Sequence, residues 1–154
     1  MNLVDILNAD AVRMIHGVSS KKKLFQEIAQ IAAATSGIDA GAATAALLER
    51  ENLGATGVGH GVALPHARLD NLDQIVGCFA RLDKPIEFDA VDRQPVDLIF
   101  TLFAPHDHGV GHLKALAAVS RTLRDAGVCE KLRGNENVST LYAILLEGPA
   151  SKAA

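Results

Sequence analysis

Apolar residues recur along the chain first at helical spacing, then in short continuous runs, then at helical spacing again. After Ser19-Ser20, which suit a helix cap, Leu24, Phe25, Ile28, Ile31 and Ala32 make one apolar face and predict a helix that Gly37 stops. A second helix is predicted from Asp39, a good N-cap, through Ala45, Leu47 and Leu48 to about Glu51, with Arg50 on its last turn and Gly54 beyond it. The pattern then changes. Residues 56–66 are glycine-rich and then apolar, so 62–64 predicts a short strand that Pro65 ends. Residues 75–82 predict another strand. The near-continuous apolar run 96–103, closed by Pro105, predicts a central strand buried on both faces.

A long helix is expected over about 110–125, with Leu113, Leu116, Ala117, Ser120 and Leu123 facing inward and Gly127 after its end. A last helix is expected over about 138–146. Helices before, between and after strands predict an α/β fold: a single layered domain with a central β-sheet flanked by helices. The short connection at 84–88 suggests some antiparallel pairing, so the sheet is expected to be mixed. The domain is expected over 1–147, with 148–154 a flexible C-terminal tail.

The 154 residues fit one domain. A net charge of -3 argues against a nucleic-acid binder, which would carry a basic patch or stripe. The one basic run, Lys21-Lys22-Lys23, reads as a solvated face. The run 98–104 is far too short to span a bilayer, and the opening Met1-Asn2-Leu3-Val4-Asp5 lacks the basic region of a signal peptide. Cys78 and Cys129 stand in no metal or redox spacing and read as buried small hydrophobes. A reducing, cytoplasmic setting without stable membrane insertion is therefore expected.

Five of the six histidines fall in two stretches: His60 and His66 flank the glycine-rich strand entry, and His106, His108 and His112 lie between the central strand and the long helix. Sites in α/β sheets gather at strand ends and helix starts, so the two stretches could meet. His66 follows Pro65, and neutral imidazole is a nucleophile near pH 7. Glycines 57, 59 and 61 allow close approach of the backbone and an anion-binding concavity. His112 falls in the first turn of a helix, where unpaired N–H groups favour an anion. Arg50 carries a planar fork suited to phosphate. Each also has a plainer reading: a packing or surface histidine for His66, a surface histidine at a helix start for His112, and a salt bridge with Glu49 or Glu51 for Arg50. His106, Asp107, His108 and His112 could be read as metal ligands, but nothing fixes a fourth, and no metal or cofactor is expected. The glycines precede a strand rather than open a helix, the wrong order for a dinucleotide fingerprint.

The segment Gly57-Val58-Gly59-His60-Gly61-Val62-Ala63-Leu64-Pro65-His66-Ala67-Arg68 resembles the phosphorylation motif of the fructose- and mannitol-type (type 2) enzyme IIA domains of the bacterial phosphotransferase system. Leu47-Leu48-Glu49-Arg50-Glu51 is similar to the segment bearing that family's phosphate-site arginine. His112-Leu113-Lys114-Ala115-Leu116 is similar to the segment with its second active-site histidine. Residues 84–92 and the strand from Val96 also resemble the family, so the likeness covers nearly the whole chain. The opening, Leu3-Val4-Asp5-Ile6-Leu7 and later Ser19-Ser20-Lys21-Lys22, is most similar to the stand-alone nitrogen-regulatory branch, which has no attached membrane permease.

The resemblance implies a phosphotransferase with a phosphohistidine intermediate. His66 would receive the phosphoryl group on Nε2 from an HPr-like phosphocarrier protein, itself phosphorylated by an enzyme I and phosphoenolpyruvate. Arg50 and His112 would stabilise the phosphoryl oxygens, with help from N–H groups near Gly59 to Gly61. The output would be regulatory, through target proteins that distinguish the two states. The alternative is a sugar-specific component that hands the group to a IIB domain. Val58, Val62 and Leu64 are candidates for the donor-docking surface, or else for core packing. His60, His106 and His108 have no assigned role in the resemblance.

Overall fold

The computed structural model describes residues 1–107 and 109–149. A 3-10 turn (Leu3–Asp5) leads into β1 (Leu7–Ile15), α1 (Lys21–Ser36) and α2 (Ala40–Leu53). Three short strands follow, β2 (Gly57–Gly59), β3 (Val62–Ala63) and β4 (His66–Leu69), then the long β5 (Val76–Ile86) and β6 (Val96–Pro105). The chain ends in α3 (Gly109–Leu123), α4 (Ala126–Arg133) and α5 (Val138–Glu147).

The sheet is mixed, in the order β1-β5-β6-β3-β2, with β4 continuing beside β6. β5 and β6 are antiparallel, whereas β1 runs parallel to β5 and both β3 and β4 run parallel to β6. β6 is therefore the hub of the sheet. Apart from Asp97 its residues are buried, as expected of a strand covered on both faces. α1 packs on β1 and β5, α2 on β4, α3 on β6, and α5 on β1. The α/β class and central mixed sheet are thus those expected from the sequence.

The helix caps act as read. Ser20 Oγ accepts from Lys23 N–H at 3.2 Å, and Asp39 Oδ2 from Ala42 N–H at 2.8 Å. Gly37 closes α1 in the left-handed region at φ 71°. Cys78 and Cys129 are both buried and free.

β1 is not among the expected elements, and three expectations need correction. β1 carried no clear alternation, because Asn8, Ala9 and Asp10 are all exposed before the strand turns inward at Ala11. Pro65 does not end a strand for good: β4 begins at the next residue. α3 presents His112, Ala115, Ala118, Val119, Thr122 and Leu123 inward; of the expected stripe Leu123 is buried and Leu116 partly so, but Leu113 is 68% exposed. Its inner face carries Ala115 and Ala118, and small residues suit close contact with a β6 whose own side chains are large. Finally, Gly127 terminates nothing. Asp125 caps a fourth helix by accepting from Val128 N–H at 3.0 Å, so α3 stops earlier, at Leu123. The expected tail is described only through Pro149, residues 150–154 lying outside the described residues.

Candidate functional site

The position of His66 is set by β6. Val62 pairs with Leu98 and Ala63 with Ile99, and after the break His66 pairs with Leu102 and Ala67 with Phe103, at the same offset. Proline lacks only a donor. The ladder here uses its carbonyl, which accepts from Leu102 N–H at 3.0 Å, so register survives Pro65. Alternate residues of a strand share a face, and the series that contains Leu64 also contains His66 and Arg68.

His66 is half-buried, with Nδ1 2.9 Å from the Leu64 carbonyl. A carbonyl can only accept, so Nδ1 carries the hydrogen and Nε2 keeps its lone pair. Burial holds the imidazole below its usual pKa. The Leu64 bond opposes that shift, the Arg50 charge adds to it, and Glu51 pulls the other way. The ring is therefore neutral at pH 7.

Across the cleft, His112 meets His66 edge to face, with ring centroids 5.3 Å apart. It is the fourth residue of α3 and only 6% exposed. Its Nε2 is buried and has no hydrogen-bond partner among the described residues. Burial first, then the neighbouring His66 and Arg68, push its pKa down to about 4.

Arg50 lies on the last turn of α2, half-buried, and donates from Nη1 to the Gly54 carbonyl at 2.9 Å. The plainer reading, a salt bridge with a flanking glutamate, is not what the chain adopts. Glu51 turns instead to Lys21 and Thr56, and Arg50 forms no ion pair among the described residues. Arg50, His66 and His112 thus line one cleft of about 570 Å³, together with Arg68, Leu53 and Leu113. Sequence reasoning missed Arg68. The signal was its spacing, two residues beyond His66 and so on the same strand face. One of its arms donates to the His106 carbonyl at 2.7 Å.

Other expected participants lie elsewhere. His60 lines a second cleft, against α3 and α4, which shares no residue with the first. Its N–H donates to Asp92 at 2.8 Å and its carbonyl accepts from Arg133 at 2.8 Å. The N–H groups near Gly59 to Gly61 are therefore not at His66. Gly61 instead has φ 77° and packs where a Cβ would run into the Arg133 guanidinium. Val62 and Leu64 are buried, and Val58 is exposed beside the second cleft, so none of the three rims His66. The exposed apolar rim there is Leu53, 82% exposed, with Leu113. Lys21, expected to be solvated, is half-buried against Glu51 and the Phe88 ring. His106 pairs its Nε2 with Asp70 Oδ1 at 3.0 Å, and His108 lies outside the described residues.

Residues 5–148 match the family described as "Phosphoenolpyruvate-dependent sugar phosphotransferase system, EIIA 2". The chain is 45% identical over 153 residues to a nitrogen regulatory protein of Bradyrhizobium diazoefficiens, covering 99% of this chain and 100% of that protein. It is 42% identical over 109 residues to a fructose-specific EIIA component of Haloferax volcanii, covering 71% of each. Among solved structures, the nitrogen regulatory protein IIA-Ntr from Neisseria meningitidis superposes with a TM-score of 0.85 at 33% identity, over 93% of this chain and 98% of that one. No helix among the described residues is long and apolar enough to cross a membrane.

Proposed function

The chain belongs to the EIIA 2 family of the phosphoenolpyruvate-dependent sugar phosphotransferase system, and from that membership we propose that it is a phosphocarrier of the nitrogen-related branch that accepts a phosphoryl group on Nε2 of His66. The observation that carries this reading is the Nδ1 bond to the Leu64 carbonyl, which leaves Nε2 as the nucleophile of a neutral ring beside an arginine that meets no carboxylate among the described residues.

The donor is an HPr-like protein phosphorylated on its own histidine. His66 Nε2 attacks the phosphorus in line, and a new N–P bond forms as the donor's breaks. The electron pair of the broken bond returns to the donor nitrogen, which leaves as neutral imidazole. Positive charge passes to the His66 ring, where Nδ1–H keeps its bond to Leu64. Arg50 offers its fork to the phosphoryl oxygens. His112 offers an N–H, and its pKa rises once the dianion is present. Positioning and charge stabilisation supply most of what phosphoryl transfer asks of a protein. Leu53 and Leu113 supply the apolar rim on which the donor docks for a brief encounter.

The output is a binding event governed by charge at His66: phosphorylation adds nearly two negative charges, so a target pressed on the cleft distinguishes the two forms. The likeness to the Haloferax fructose component favours a second reading, transfer onward to a IIB domain. One experiment decides between them. The bare protein (His66→Ala) and the phosphorylated wild type are each used to capture cytosolic partners, and onward transfer to fructose or mannitol IIB domains is timed. Distinct partner sets support regulation. Identical sets with rapid transfer to a IIB domain support the sugar pathway.

A further inference from the structure

We propose that Glu51 is a positioning residue of this site, whose buried carboxylate locks the turn between α2 and β2 so that the Gly54 carbonyl holds the Arg50 guanidinium in the His66 cleft. The proposal rests on the phosphotransfer reading and deepens it.

Arg50 and Glu51 are consecutive, and both grip the same connector. Arg50 Nη1 donates to Gly54 O at 2.9 Å. Two residues on, Thr56 gives Glu51 both of its donors, N–H to Oε2 at 3.0 Å and Oγ1–H to Oε1 at 2.6 Å. Only Gly54, Ala55 and Thr56 separate α2 from β2, so fixing Thr56 fixes the carbonyl to which Arg50 is tied. A carboxylate 6% exposed is tolerated only when its lone pairs are met, and here Lys21 Nζ completes the set at 2.9 Å. Lys21 is held in turn, 4.7 Å over the Phe88 ring and 3.7 Å from Asp89. The clamp therefore joins the start of α1, the end of α2 and the entry to β2.

Glu51 has a second effect at the same place. It is the negative charge that opposes Arg50 at His66. The other charged or titratable groups lining that cleft are Glu49 from α2, Arg68 from β4, His106 after β6 and His112 from α3. Pairing with Lys21 weakens the repulsion that Glu51 exerts on an arriving dianion. A buried glutamate that merely stabilised the fold would act alike whether or not Arg50 were present. A positioning residue acts through Arg50, and that coupling is measurable.

The test is a double-mutant cycle on the whole chain, timing transfer from a histidine-phosphorylated HPr-like protein to wild type, Glu51→Gln, Arg50→Ala and the double variant. Glu51→Gln should slow transfer on the order of tenfold to a hundredfold, the scale of a misplaced binding group, and should add almost nothing once Arg50 is alanine. In the unphosphorylated protein, NMR titration of His66 should move to lower pH in Glu51→Gln. If Glu51→Gln does not fold, Thr56→Val, which removes one hydrogen bond and keeps both charges, should give a smaller loss that again depends on Arg50. A wild type that takes no label overturns the phosphotransfer reading and this proposal with it. A labelled wild type beside a Glu51 or Thr56 variant of equal rate, or of equal loss in both Arg50 backgrounds, overturns this proposal alone.

Discussion

His60 and His66 stand six residues apart in one glycine-rich run, each with an arginine close by, yet their surroundings are opposites. At His60 both backbone polar groups are spoken for. The backbone is held in the left-handed region at φ 56°, its N–H and carbonyl are taken by Asp92 and Arg133, and Arg133 is itself locked on Asp97 by contacts of 2.8 to 3.1 Å. At His66 the backbone is ordinary strand, one ring nitrogen is tied down and the other is left over, and Arg50 and Arg68 meet no carboxylate among the described residues. A satisfied arginine builds structure. An arginine held only by a carbonyl keeps its charge available for a ligand.

The sharpest way to break this contrast is to remove each histidine. His66→Ala is expected to abolish labelling by the HPr-like donor, while His60→Asn, which tolerates the left-handed backbone, is expected to be labelled like wild type. The wild-type product should be acid-labile and alkali-stable, as an N–P bond is. Normal labelling of His66→Ala would transfer the acceptor role elsewhere.

The arginines come next. Arg50→Ala is expected to slow transfer by about 10²–10³ with only a small fall in the urea midpoint, because a charge-stabilising donor is lost, no ion pair is broken, and the one bond removed, to the Gly54 carbonyl, is exposed. Arg133→Ala should do the reverse. Its transfer rate stays, and stability falls by about 2 kcal/mol as a part-buried Asp97 loses its partner. Equal effects of the two variants on rate would erase the distinction.

Acid provides a third probe. The folded-state pKa of His112, about 4, lies below the unfolded value near 6.5. The unfolded chain therefore binds the proton first. The favourable contribution is present above pH 6.5 and is lost as pH falls toward 4, up to about 3 kcal/mol in all. His66, shifted in the same direction, acts with the same sign. Urea melts of His112→Phe between pH 7 and 4 should show a flatter decline than wild type, and parallel curves would mean that His112 is not buried as a neutral ring. The smallest effect is expected at the structural histidine's neighbour. Gly61→Ala should lose about 1–2 kcal/mol from its φ of 77° and its contact with Arg133, with labelling intact.

Local rules made the helices legible. Ser20, Gly37, Asp39 and Gly54 mark boundaries because caps are read from single residues. β1 and α4 were hidden for different reasons: one has three consecutive exposed residues after Leu7, and the other is a single eight-residue stretch opened by an aspartate that also reads as the end of α3. β4 was hidden by the wrong inference from Pro65, since a missing N–H matters only where the ladder uses it. The convergence of Arg50, His66 and His112 was suggested by resemblance, because spacing along a chain does not say that α2, β4 and α3 meet. Arg68 was accessible to a stricter use of strand alternation. Val58, Val62 and Leu64 are candidates for a docking rim or for core packing, because nearness to His66 in sequence does not decide between the two. Strand pairing buries Val62 and Leu64, and the exposed leucines come from the helices instead.

The constant register of β3 and β4 along β6, kept across the break at 64–65, sets a rule about length as well as identity. One residue added or removed between Val62 and His66 would turn every later side chain of β4 through the sheet, putting Ala67 or Pro65 where the imidazole stands. In a library of single-residue insertions and deletions, this stretch should appear as a silent interval from which no labelled protein is recovered. Tolerance should resume at the exposed turn around Asn71, where the chain has already left β6.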